Sequence, residues 1–526
     1  MIPRLSSSCI LLGALALLRF PANAHAQDDF ASSCASFIDL IQMDNVTTYA
    51  TEFIPAGTNI TLEQAPSCSD SPSQVVSTDL CRIRMNVTTS ERSEIRMEAW
   101  FPQNYTGRFL STGNGGLGGC IQYSDLDYTS SLGFATVGAN NGHEGQTGVY
   151  FLDNPEVITD FAWRSVHTGV VVGKELTELF YGAPHNKSYY LGCSTGGRQG
   201  FKMVQDFPED FDGVLAGAPA VAWNDLLYWS GSFLVTTGTE GSATFVPTKM
   251  WTDIIHQEVI NQCDALDGAT DGVLENPDLC DFNPTPLICS DGDTTDCLTE
   301  TQIETVVKLL SAVYDENGEL AYPRMQPGAE VLAGVRQFTG QPYLTSTEWW
   351  RYAIHNDSTW DPATMGPADR HAAVAQNPAG IAAFNGNVSA FQLAGGKVLH
   401  YHGLMDDLIT SDNSKRYYSL VQETMGKESA ELDDFYRFFP ISGMSHCSDG
   451  DGAYKIGNLQ GGYAGASPDE NVLMALVQWV EKGVAPEVVR GANANETYWR
   501  AHCKWPKTNK YVGPGSYEDE SAWQCA

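Results

Sequence analysis

The chain has 526 residues and a formal net charge of −34, which disfavours nucleic acid and anionic membrane surfaces as partners because both carry negative charge. About 500 residues can bury a large core and usually exceed one compact domain. After residue 26 we find no run of about 20 apolar residues that would predict a membrane-spanning helix. We therefore expect a globular protein that binds neither nucleic acid nor membrane and whose acidic surface favours solubility.

The first 26 residues have the features of a secretory signal peptide. Arg4 supplies positive charge, residues 10–18 form a short apolar run, and residues 24–26 (Ala-His-Ala) fit the cleavage pattern. The signal contains Cys9, and the other twelve cysteines form an even set suited to an oxidising compartment. Eight Asn-x-Ser/Thr sequons add to this pattern. The sequence predicts a secreted, extracellular glycoprotein with sequons at Asn45, Asn59, Asn86, Asn104, Asn186, Asn356, Asn387 and Asn495.

Hydrophobic periodicity predicts alternating strands and helices in two parts of the chain. In the first part we predict strands at 95–100, 108–112, 134–139, 189–191 and 214–216, and helices at 160–181 and 198–206. In the second part we predict strands at 397–401 and 435–439, a helix at 413–425, and a last helix capped at 467–470 and running to about 482. This alternation predicts an α/β protein with a parallel sheet.

Residues 221–396 interrupt the alternation. They are rich in Trp, Asp, Gly and Pro and contain four cysteines. We predict that this stretch is an inserted lid domain, and that residues 27–220 and 397–526 together form the catalytic domain.

Ser194 lies at the centre of residues 192–196 (Gly-Cys-Ser-Thr-Gly), the G-x-S-x-G pattern of a nucleophile elbow. The pattern stands between a predicted strand and a predicted helix, as an elbow requires. An acyl-transfer triad also needs an acid and a histidine, which follow the serine in that order in α/β-hydrolases. Asp406 and His446 each follow a predicted strand in this order, and Asp407 is the rival acid. A surface turn at 192–196 and a purely structural His446 are the alternatives.

Cys193 and Cys447 directly adjoin Ser194 and His446. A disulfide between these cysteines would hold their Cα atoms roughly 4.4 to 6.8 Å apart. It would thereby bring together a Ser–His pair that the sequence separates by 252 positions (446 − 194). The two flanking cysteines make the triad prediction more specific than the G-x-S-x-G pattern alone.

An oxyanion hole is predicted beside Ser194. The backbone N–H of Thr195 is one expected donor, and the other comes from the glycine-rich turn at 113–116. Gly115 and Gly116 are both candidates because glycine lets the backbone approach a substrate closely. An ordinary glycine turn is the alternative.

A second group of functional candidates lies at 263–273. Asp264, Asp267 and Asp271 place three carboxylates within eight residues, which suits a hard cation such as calcium. The backbone carbonyls of Ala269 and Val273 could supply further oxygen ligands. The stretch lacks the flanking helices and the twelfth-position Glu of an EF-hand, and an acidic solvated turn is the alternative. Such a metal would be structural, because the loop belongs to the predicted lid.

With these motifs the chain resembles the tannase/feruloyl esterase family, most closely the secreted fungal type B feruloyl esterases, over nearly its whole mature length. Ser194, Asp406 and His446, with their two flanking cysteines, match the family's CS-D-HC arrangement. The resemblance implies an α/β-hydrolase fold with a large inserted lid domain, the three residues as nucleophile, acid and base, and calcium bound at the acidic loop in the lid. It also implies the disulfides Cys34–Cys81, Cys68–Cys120, Cys193–Cys447, Cys263–Cys280, Cys289–Cys297 and Cys503–Cys525.

The resemblance further implies a serine esterase that releases hydroxycinnamic acids such as ferulic, p-coumaric or caffeic acid from plant cell-wall polysaccharides through an acyl-enzyme. A tannase acting on gallate esters differs only in its acyl pocket, and the lack of a Lys-Arg pair within 221–396 favours the feruloyl esterase branch. The sequence is also compatible with a catalytically inactive hydrolase fold used for binding, which would not need an intact triad, and with a peptidase that uses the same triad. An aromatic wall for the acyl group could come from the lid residues Trp223, Tyr228, Trp229, Trp349, Trp350 and Tyr352.

Overall fold

A computed structural model of the chain describes residues 22–69, 71–290, 295–462 and 465–526. Most of the predicted signal peptide, residues 1–21, lies outside the described residues, and the predicted cleavage position falls within the first helix, α1 (Ala22–Ser36). In the described part of the chain, no helix combines the length and the apolar character needed to cross a bilayer.

The strands are numbered in chain order. Those before residue 221 are β1 (Val46–Ile54), β2 (Asn59–Thr61), β3 (Ser73–Val75), β4 (Leu80–Ser90), β5 (Ser93–Pro102), β6 (Arg108–Thr112), β7 (Gly118–Gly119), β8 (Phe134–Ala139), β9 (Gly145–Gln146), β10 (Lys187–Cys193) and β11 (Gly213–Gly217). Those after it are β12 (Val313–Tyr314), β13 (Leu320–Tyr322), β14 (Lys397–Gly403), β15 (Tyr436–Ile441), β16 (Val488–Ala492), β17 (Trp499–Cys503), β18 (Asn509–Tyr511) and β19 (Trp523–Cys525).

The helices are numbered in the same way. After α1 they are α2 (Tyr123–Ser131), α3 (Pro155–Thr159), α4 (Ser165–Tyr181), α5 (Thr195–Asp206), α6 (Trp223–Thr237), α7 (His256–Cys263), α8 (Glu300–Leu309), α9 (Glu330–Arg336), α10 (Leu344–Glu348), α11 (Pro367–Gln376), α12 (Ser389–Leu393), α13 (Ser411–Met425), α14 (Ser429–Leu432) and α15 (Val472–Lys482). Three π-helical stretches adjoin helices, at Asp160–Arg164, Met250–Ile255 and Trp349–Ile354.

Nine strands form one mixed sheet in the order β1-β4-β5-β8-β6-β10-β11-β14-β15. The six strands from β8 to β15 pair in parallel, which confirms the predicted parallel sheet for this half. The strands β1, β4 and β5 pair antiparallel along the other edge, and this edge was not predicted in full. β1 is the outermost strand of the sheet, and its side chains are only partly buried. Its sequence therefore lacks the run of apolar residues that is typical of a central strand.

Helices cover both faces of the parallel strands. Tyr190 and Val214 point into the core shared with α4, α5 and α13, whereas Tyr189 and Leu215 point into the core beneath α15. Neighbouring residues therefore serve opposite faces, as the two-residue period of a strand dictates. The result is a three-layer α/β/α architecture whose central strands are buried on both sides.

A long insertion separates β11 from β14, although these two strands pair directly in the sheet. We call residues 221–396 the inserted segment; they correspond to the predicted lid domain. The insertion contains α6 to α12 and the hairpin β12–β13, which does not join the large sheet. Its residues Trp229, Trp251, Trp349 and Trp350 are fully buried in a second hydrophobic core, which also contains residues outside the insertion such as Phe161.

One prediction near the C-terminus differs from the structure, and two hairpins there were not predicted. The last helix was expected to be capped at 467–470, but α15 begins at Val472 because the Asn471 side chain accepts the Met474 backbone N–H at 2.9 Å. Asn471 is therefore the N-cap. The hairpins β16–β17 and β18–β19 follow this helix and were not predicted.

Candidate active site

Ser194 occupies the sharp turn between β10 and α5. Its φ of 66° and ψ of −123° place a non-glycine residue in strained backbone geometry, as a nucleophile elbow requires. The surrounding glycines allow the close approach this turn needs. A Cβ at Gly192 would lie 2.8 Å from the backbone of Gly196, and one at Gly197 would lie 2.2 Å from the carbonyl of Gly217. The sequence pattern and the strained turn therefore agree.

His446 and Asp406 lie in loops that follow the parallel strands β15 and β14. The Nδ1 atom of His446 is 2.8 Å from Oδ2 of Asp406. The other carboxylate oxygen, Oδ1, accepts the backbone N–H groups of Leu408 and Ile409, each at 2.9 Å. Because the carboxylate holds Nδ1 in its protonated tautomer, Nε2 of His446 is left as the basic nitrogen.

The charges of this pair shift both pKa values. Burial alone would raise the pKa of Asp406, but the charge of His446 and hydrogen bonds from His402 and His446 hold it well below its usual range. Burial alone would lower the pKa of His446, yet the charges of Asp406 and Asp407 raise it overall. Asp406 is therefore ionised and acts as the acceptor that orients the imidazole.

Asp407, the rival acid, faces a different partner. Its Oδ1 lies 2.9 Å from a guanidinium nitrogen of Arg336, a residue of α9 in the inserted segment. Burial and the neighbouring charge of Asp406 raise the pKa of Asp407 to about 6. The structure thus pairs His446 with Asp406, and it leaves Asp407 as a nearby charge.

The disulfide Cys193–Cys447 joins the two loops that carry Ser194 and His446. Its Cα atoms are 6.0 Å apart, within the range expected for a bridge. Cys447 has a φ of 65°, and Ser194, which adjoins Cys193, has a φ of 66°, so each joined loop contains a residue with positive φ at the bridge. The five other disulfides join the pairs that the family resemblance implies, namely Cys34–Cys81, Cys68–Cys120, Cys263–Cys280, Cys289–Cys297 and Cys503–Cys525.

The predicted oxyanion donors line the same cavity as Ser194. Thr195 is the first residue of α5, so its backbone N–H has no acceptor within the helix. The Thr195 hydroxyl donates to the carbonyl of Gly116 at 2.7 Å, which ties the glycine turn to the start of α5. Gly115 and Gly116 both line the cavity, and the geometry does not choose between them.

Two polar residues that were not predicted brace this glycine turn. The Asn114 side chain donates to the carbonyls of Cys120 (2.8 Å) and Ala139 (2.7 Å). Gln199 of α5 accepts the Asn114 backbone N–H at 3.0 Å and donates to the Asn114 side chain at 3.2 Å. The asparagine between glycines was the available sequence signal, but its partner Gln199 is 85 positions away.

A cavity of about 430 Å³ opens at Ser194 and His446, a volume suited to a small organic ligand. One wall comes from the inserted segment and the loop after β14, with Trp223, Leu226, Leu227, Tyr343, Leu408 and Ile409. A second, polar part of the lining comes from α2, the turn before it and β9, with Gln122, Ser124, Asp125 and Gln146. Of the six aromatic residues proposed as a wall, Trp223 alone lines this cavity; Trp229, Trp349 and Trp350 are buried in the core that the inserted segment shares with residues such as Phe161.

The acidic loop is compact, with Asp264 and Asp267 buried and Asp271 exposed. Asp264 accepts the Gly272 backbone N–H at 3.0 Å, and Asp267 accepts those of Ala269 (3.1 Å) and Glu275 (2.9 Å). Burial raises the pKa of Asp267 to about 6 and also raises the pKa values of Asp264 and Asp271. Among the described residues, no three or more His, Cys, Asp or Glu side chains are grouped as a metal site.

The same loop contacts more than the inserted segment. The carbonyl of Tyr511 lies 3.3 Å from where a Cβ of Gly268 would stand, and Ala269 packs with Trp523 of β19. The Val273 side chain lies 3.0 Å from where a Cβ of Gly443 would stand, three residues before His446. The loop therefore links the inserted segment to the C-terminal hairpins and to the His446 loop, which the sequence did not predict.

These features define an α/β-hydrolase: a three-layer α/β/α architecture, a strained serine after a parallel strand, and a histidine and an ionised aspartate in later loops. The predicted fold class is confirmed.

Comparison with known proteins specifies the family. A family model described as "Tannase and feruloyl esterase" matches residues 78–526. A "Probable feruloyl esterase B-2" from Neosartorya fischeri is 55% identical over 507 residues, covering 95% of this chain and 96% of the relative. A "Probable feruloyl esterase B" from Aspergillus clavatus is 55% identical over 524 residues, covering 98% and 99%. The chain belongs to the tannase and feruloyl esterase family and is a carboxylic ester hydrolase.

Solved structures agree with this assignment. Feruloyl esterase B from Aspergillus oryzae superposes with a TM-score of 0.93 at 52% identity, covering 94% of this chain and 100% of the other. Tannin acyl hydrolase from Aspergillus niger has a TM-score of 0.74 at 23% identity, covers 94% and 95% of the two chains, and shares the fold.

Proposed function

We propose that the protein hydrolyses hydroxycinnamoyl esters of plant cell-wall saccharides, with Ser194 as nucleophile, His446 as base and Asp406 as the orienting acid. The observation that carries this proposal is the 2.8 Å contact between His446 and Asp406 beside a strained serine. The disulfide between the neighbouring cysteines supports the same set, because it ties the serine and histidine loops together. Relatives named as feruloyl esterases, at 55% identity, support the acyl class.

The proposed reaction has two steps. His446 takes the hydroxyl proton of Ser194 at Nε2 while the serine oxygen attacks the ester carbonyl carbon. Backbone N–H groups of Thr195 and of Gly115 or Gly116 stabilise the resulting oxyanion. The intermediate collapses to an acyl-serine, and His446 gives its proton to the leaving alcohol. Water then attacks the acyl-serine with the same base, releasing the acid and restoring the serine.

The two walls of the cavity suggest how the substrate lies. The aromatic ring of a hydroxycinnamate would pack against the apolar wall formed by α6 and the loop after β14. The hydroxyl groups of a saccharide would find hydrogen-bond partners on the polar wall. Asp125 is the acidic member of that wall, and burial raises the pKa of its carboxyl to about 7. Its side chain is nevertheless partly exposed, so a ligand in the cavity can reach it.

Rates on four methyl esters and one peptide test the proposed acyl class. We expect methyl ferulate, methyl p-coumarate and methyl caffeate to be hydrolysed with higher kcat/KM than methyl gallate, and the peptide not at all. Faster hydrolysis of methyl gallate would instead assign a tannase. Binding of a feruloyl saccharide without any turnover would assign a binding protein.

We also propose that the acidic loop binds calcium, with Asp264, Asp267 and Asp271 as carboxylate ligands and Ala269 and Val273 as carbonyl ligands. The donor set is all oxygen, as calcium prefers, and a cation would compensate the three carboxylates that burial disfavours as anions. The carboxylates must then turn from loop N–H groups toward the ion. Elemental analysis of the purified protein should find calcium, and its loss in an Asp267→Asn variant would locate it.

Secretion and glycosylation are part of the same proposal. Seven of the eight sequon asparagines are exposed, and Asn86 is partly buried. The six disulfides suit an oxidising compartment. Mass spectrometry of protein from the culture medium should find residues 1–26 removed and glycans at several sequons.

A further inference from the structure

A line of buried polar side chains runs from Asp406 into the core, away from the cavity. His402 places Nε2 3.1 Å from Oδ2 of Asp406 and 2.8 Å from the carbonyl of Ile409. Its Nδ1 is 2.6 Å from the hydroxyl of Ser414. Beyond these contacts, His400 bridges the Ser414 hydroxyl and the Tyr436 hydroxyl, each at 2.9 Å.

Local structure explains why these groups meet. His400 and His402 are two residues apart on β14, so they project from the same face of the sheet. Ser414 lies on α13, which packs on β14, and Tyr436 begins the neighbouring strand β15. All four side chains are at most 1% exposed. Because buried polar groups cost stability unless they are hydrogen-bonded, packing alone would favour apolar residues here.

The contacts fix the direction of every hydrogen bond when both rings are neutral. The carbonyl of Ile409 can only accept, so Nε2 of His402 carries the hydrogen and Nδ1 accepts. The Ser414 hydroxyl must then donate to His402, and its oxygen accepts from Nε2 of His400. The remaining nitrogen of His400 accepts from Tyr436. Every donor thus points toward Asp406, and burial supports a neutral His400 by holding its pKa well below its usual value.

We propose that His402, Ser414, His400 and Tyr436 are positioning residues that hold the Asp406 carboxylate in the orientation His446 needs. His402 and His446 share Oδ2, while two backbone N–H groups occupy Oδ1. With donors on both oxygens the carboxylate cannot rotate freely. The inference rests on the proposed roles of Asp406 and His446, but not on the acyl group that the enzyme accepts.

The His402 hydrogen bond also affects the charge that His446 experiences. A donor on Oδ2 stabilises the negative charge of Asp406 and weakens its attraction for the His446 proton. The charged groups that act on His446 are Asp406, Asp407 and Arg336. Loss of the donor therefore raises the pKa of His446. Because His446 must be neutral to accept the serine proton, the acidic limb of kcat/KM should move to higher pH.

Single-atom changes along the line test the proposal. Ser414→Ala should lower kcat by about tenfold, within the cost of a small misplacement, with little change in KM, and should move the acidic limb to higher pH. Ser414→Thr, which keeps the hydroxyl, should restore both. Tyr436→Phe should shift the limb in the same direction but less, because it removes the farthest donor.

Tyr418→Phe is the matched control. Tyr418 is a buried tyrosine beside Tyr436, with ring centroids 5.2 Å apart, and its hydroxyl contacts Ser429 instead of the line. Tyr418→Phe should change neither kcat nor the position of the acidic limb in the pH profile of kcat/KM. All variants are compared with the unmodified enzyme on p-nitrophenyl acetate as well as methyl ferulate, so failure on feruloyl esters alone would not affect the result. If Ser414→Ala lowers only the melting temperature, or if Tyr418→Phe has the same effect as Tyr436→Phe, the proposal is wrong.

Discussion

The sheet and the inserted segment contribute to the active site in different ways. The sheet side carries the proposed reacting groups, and each is fixed: Ser194 by its strained turn, His446 by Asp406, and both loops by a disulfide. The inserted segment supplies most of an apolar wall, with residues such as Leu226 and Leu227. Changes on the sheet side should therefore alter kcat, while changes in the inserted segment should alter selectivity or stability.

The two regions are nevertheless joined directly behind the nucleophile. Arg198 of α5 is fully buried, and its guanidinium donates to the carbonyls of Ala162 (2.7 Å), Phe161 (3.1 Å) and Ile381 (3.3 Å). It also lies 5.4 Å from the ring of Trp223, which lines the cavity. Burial lowers the pKa of Arg198 to about 9. The two regions therefore differ in what they contribute to the site, but they share one packed interior.

Removing the serine hydroxyl should have the largest effect. Ser194→Ala should lower kcat by a factor on the order of 10⁴ to 10⁶ without changing the melting temperature, because only the nucleophile is lost. Ser230→Ala is a matched control, since Ser230 lines the same cavity from the inserted segment and bonds its own helix at Leu226. Steady-state kinetics with methyl ferulate measure both. Equal losses in the two variants would contradict the assignment of the chemistry to the sheet.

Removing disulfides from each region should have the second-largest effect. Cys193→Ala/Cys447→Ala should lower kcat by about 10²-fold even where the protein remains folded, because it loosens the serine and histidine loops. Cys289→Ala/Cys297→Ala removes a short bridge, of sequence separation 8, in the inserted segment and should leave kcat unchanged. Kinetics and circular dichroism on the same samples separate activity from folding. Full activity in the first variant would make that bridge purely stabilising.

The same two regions differ in how well their structure could be predicted. The bounds predicted for β6 and β8 match the structure, because glycines bracket β6 and a glycine precedes β8, so the ends of these buried strands are marked in the sequence. No element was predicted within the inserted segment. Its longest helix, α6, is apolar on most of its surface and therefore shows no amphipathic stripe. Its other helices are short and are interrupted by π-helical stretches, so their periodicity is weak.

The site shows the same limit at the level of single residues. The three residues Ser194, Asp406 and His446 could be predicted as a set, because their order and the strand before each residue can be read directly from the sequence. Asp407 stayed open as the acid because adjacent residues share the same local context, and only the direction of each carboxylate separates them. The support from His402 was missed for a related reason: it depends on the path of the loop back to the strand, which periodicity does not describe.

Removing the charge of Asp407, which contacts Arg336 of the inserted segment, should modestly shift the pH dependence of kcat/KM. The negative charge of Asp407 helps to raise the pKa of His446, so Asp407→Asn should lower that pKa. His446 then stays neutral to lower pH, and the acidic limb of kcat/KM should move to lower pH. The shift is opposite to the one expected for Ser414→Ala. A pH profile of kcat/KM checks it; an unchanged limb would mean that Arg336 already neutralises Asp407.

Calcium removal should have the smallest effect on catalysis. An ion held by the acidic loop stabilises the folded protein by mass action, by about 2.7 kcal/mol when free calcium is 100 times its Kd. Chelation should therefore lower the melting temperature by several degrees, and kcat on methyl ferulate should stay near its original value well below that temperature. Asp267→Asn should make the melting temperature insensitive to chelation. Chelation could lower kcat through the contact of Val273 with Gly443, because this contact connects the acidic loop to the loop that carries His446. If chelation lowers kcat in fully folded protein, the acidic loop helps to position His446, and the separation between the inserted segment and the reacting groups fails at that contact.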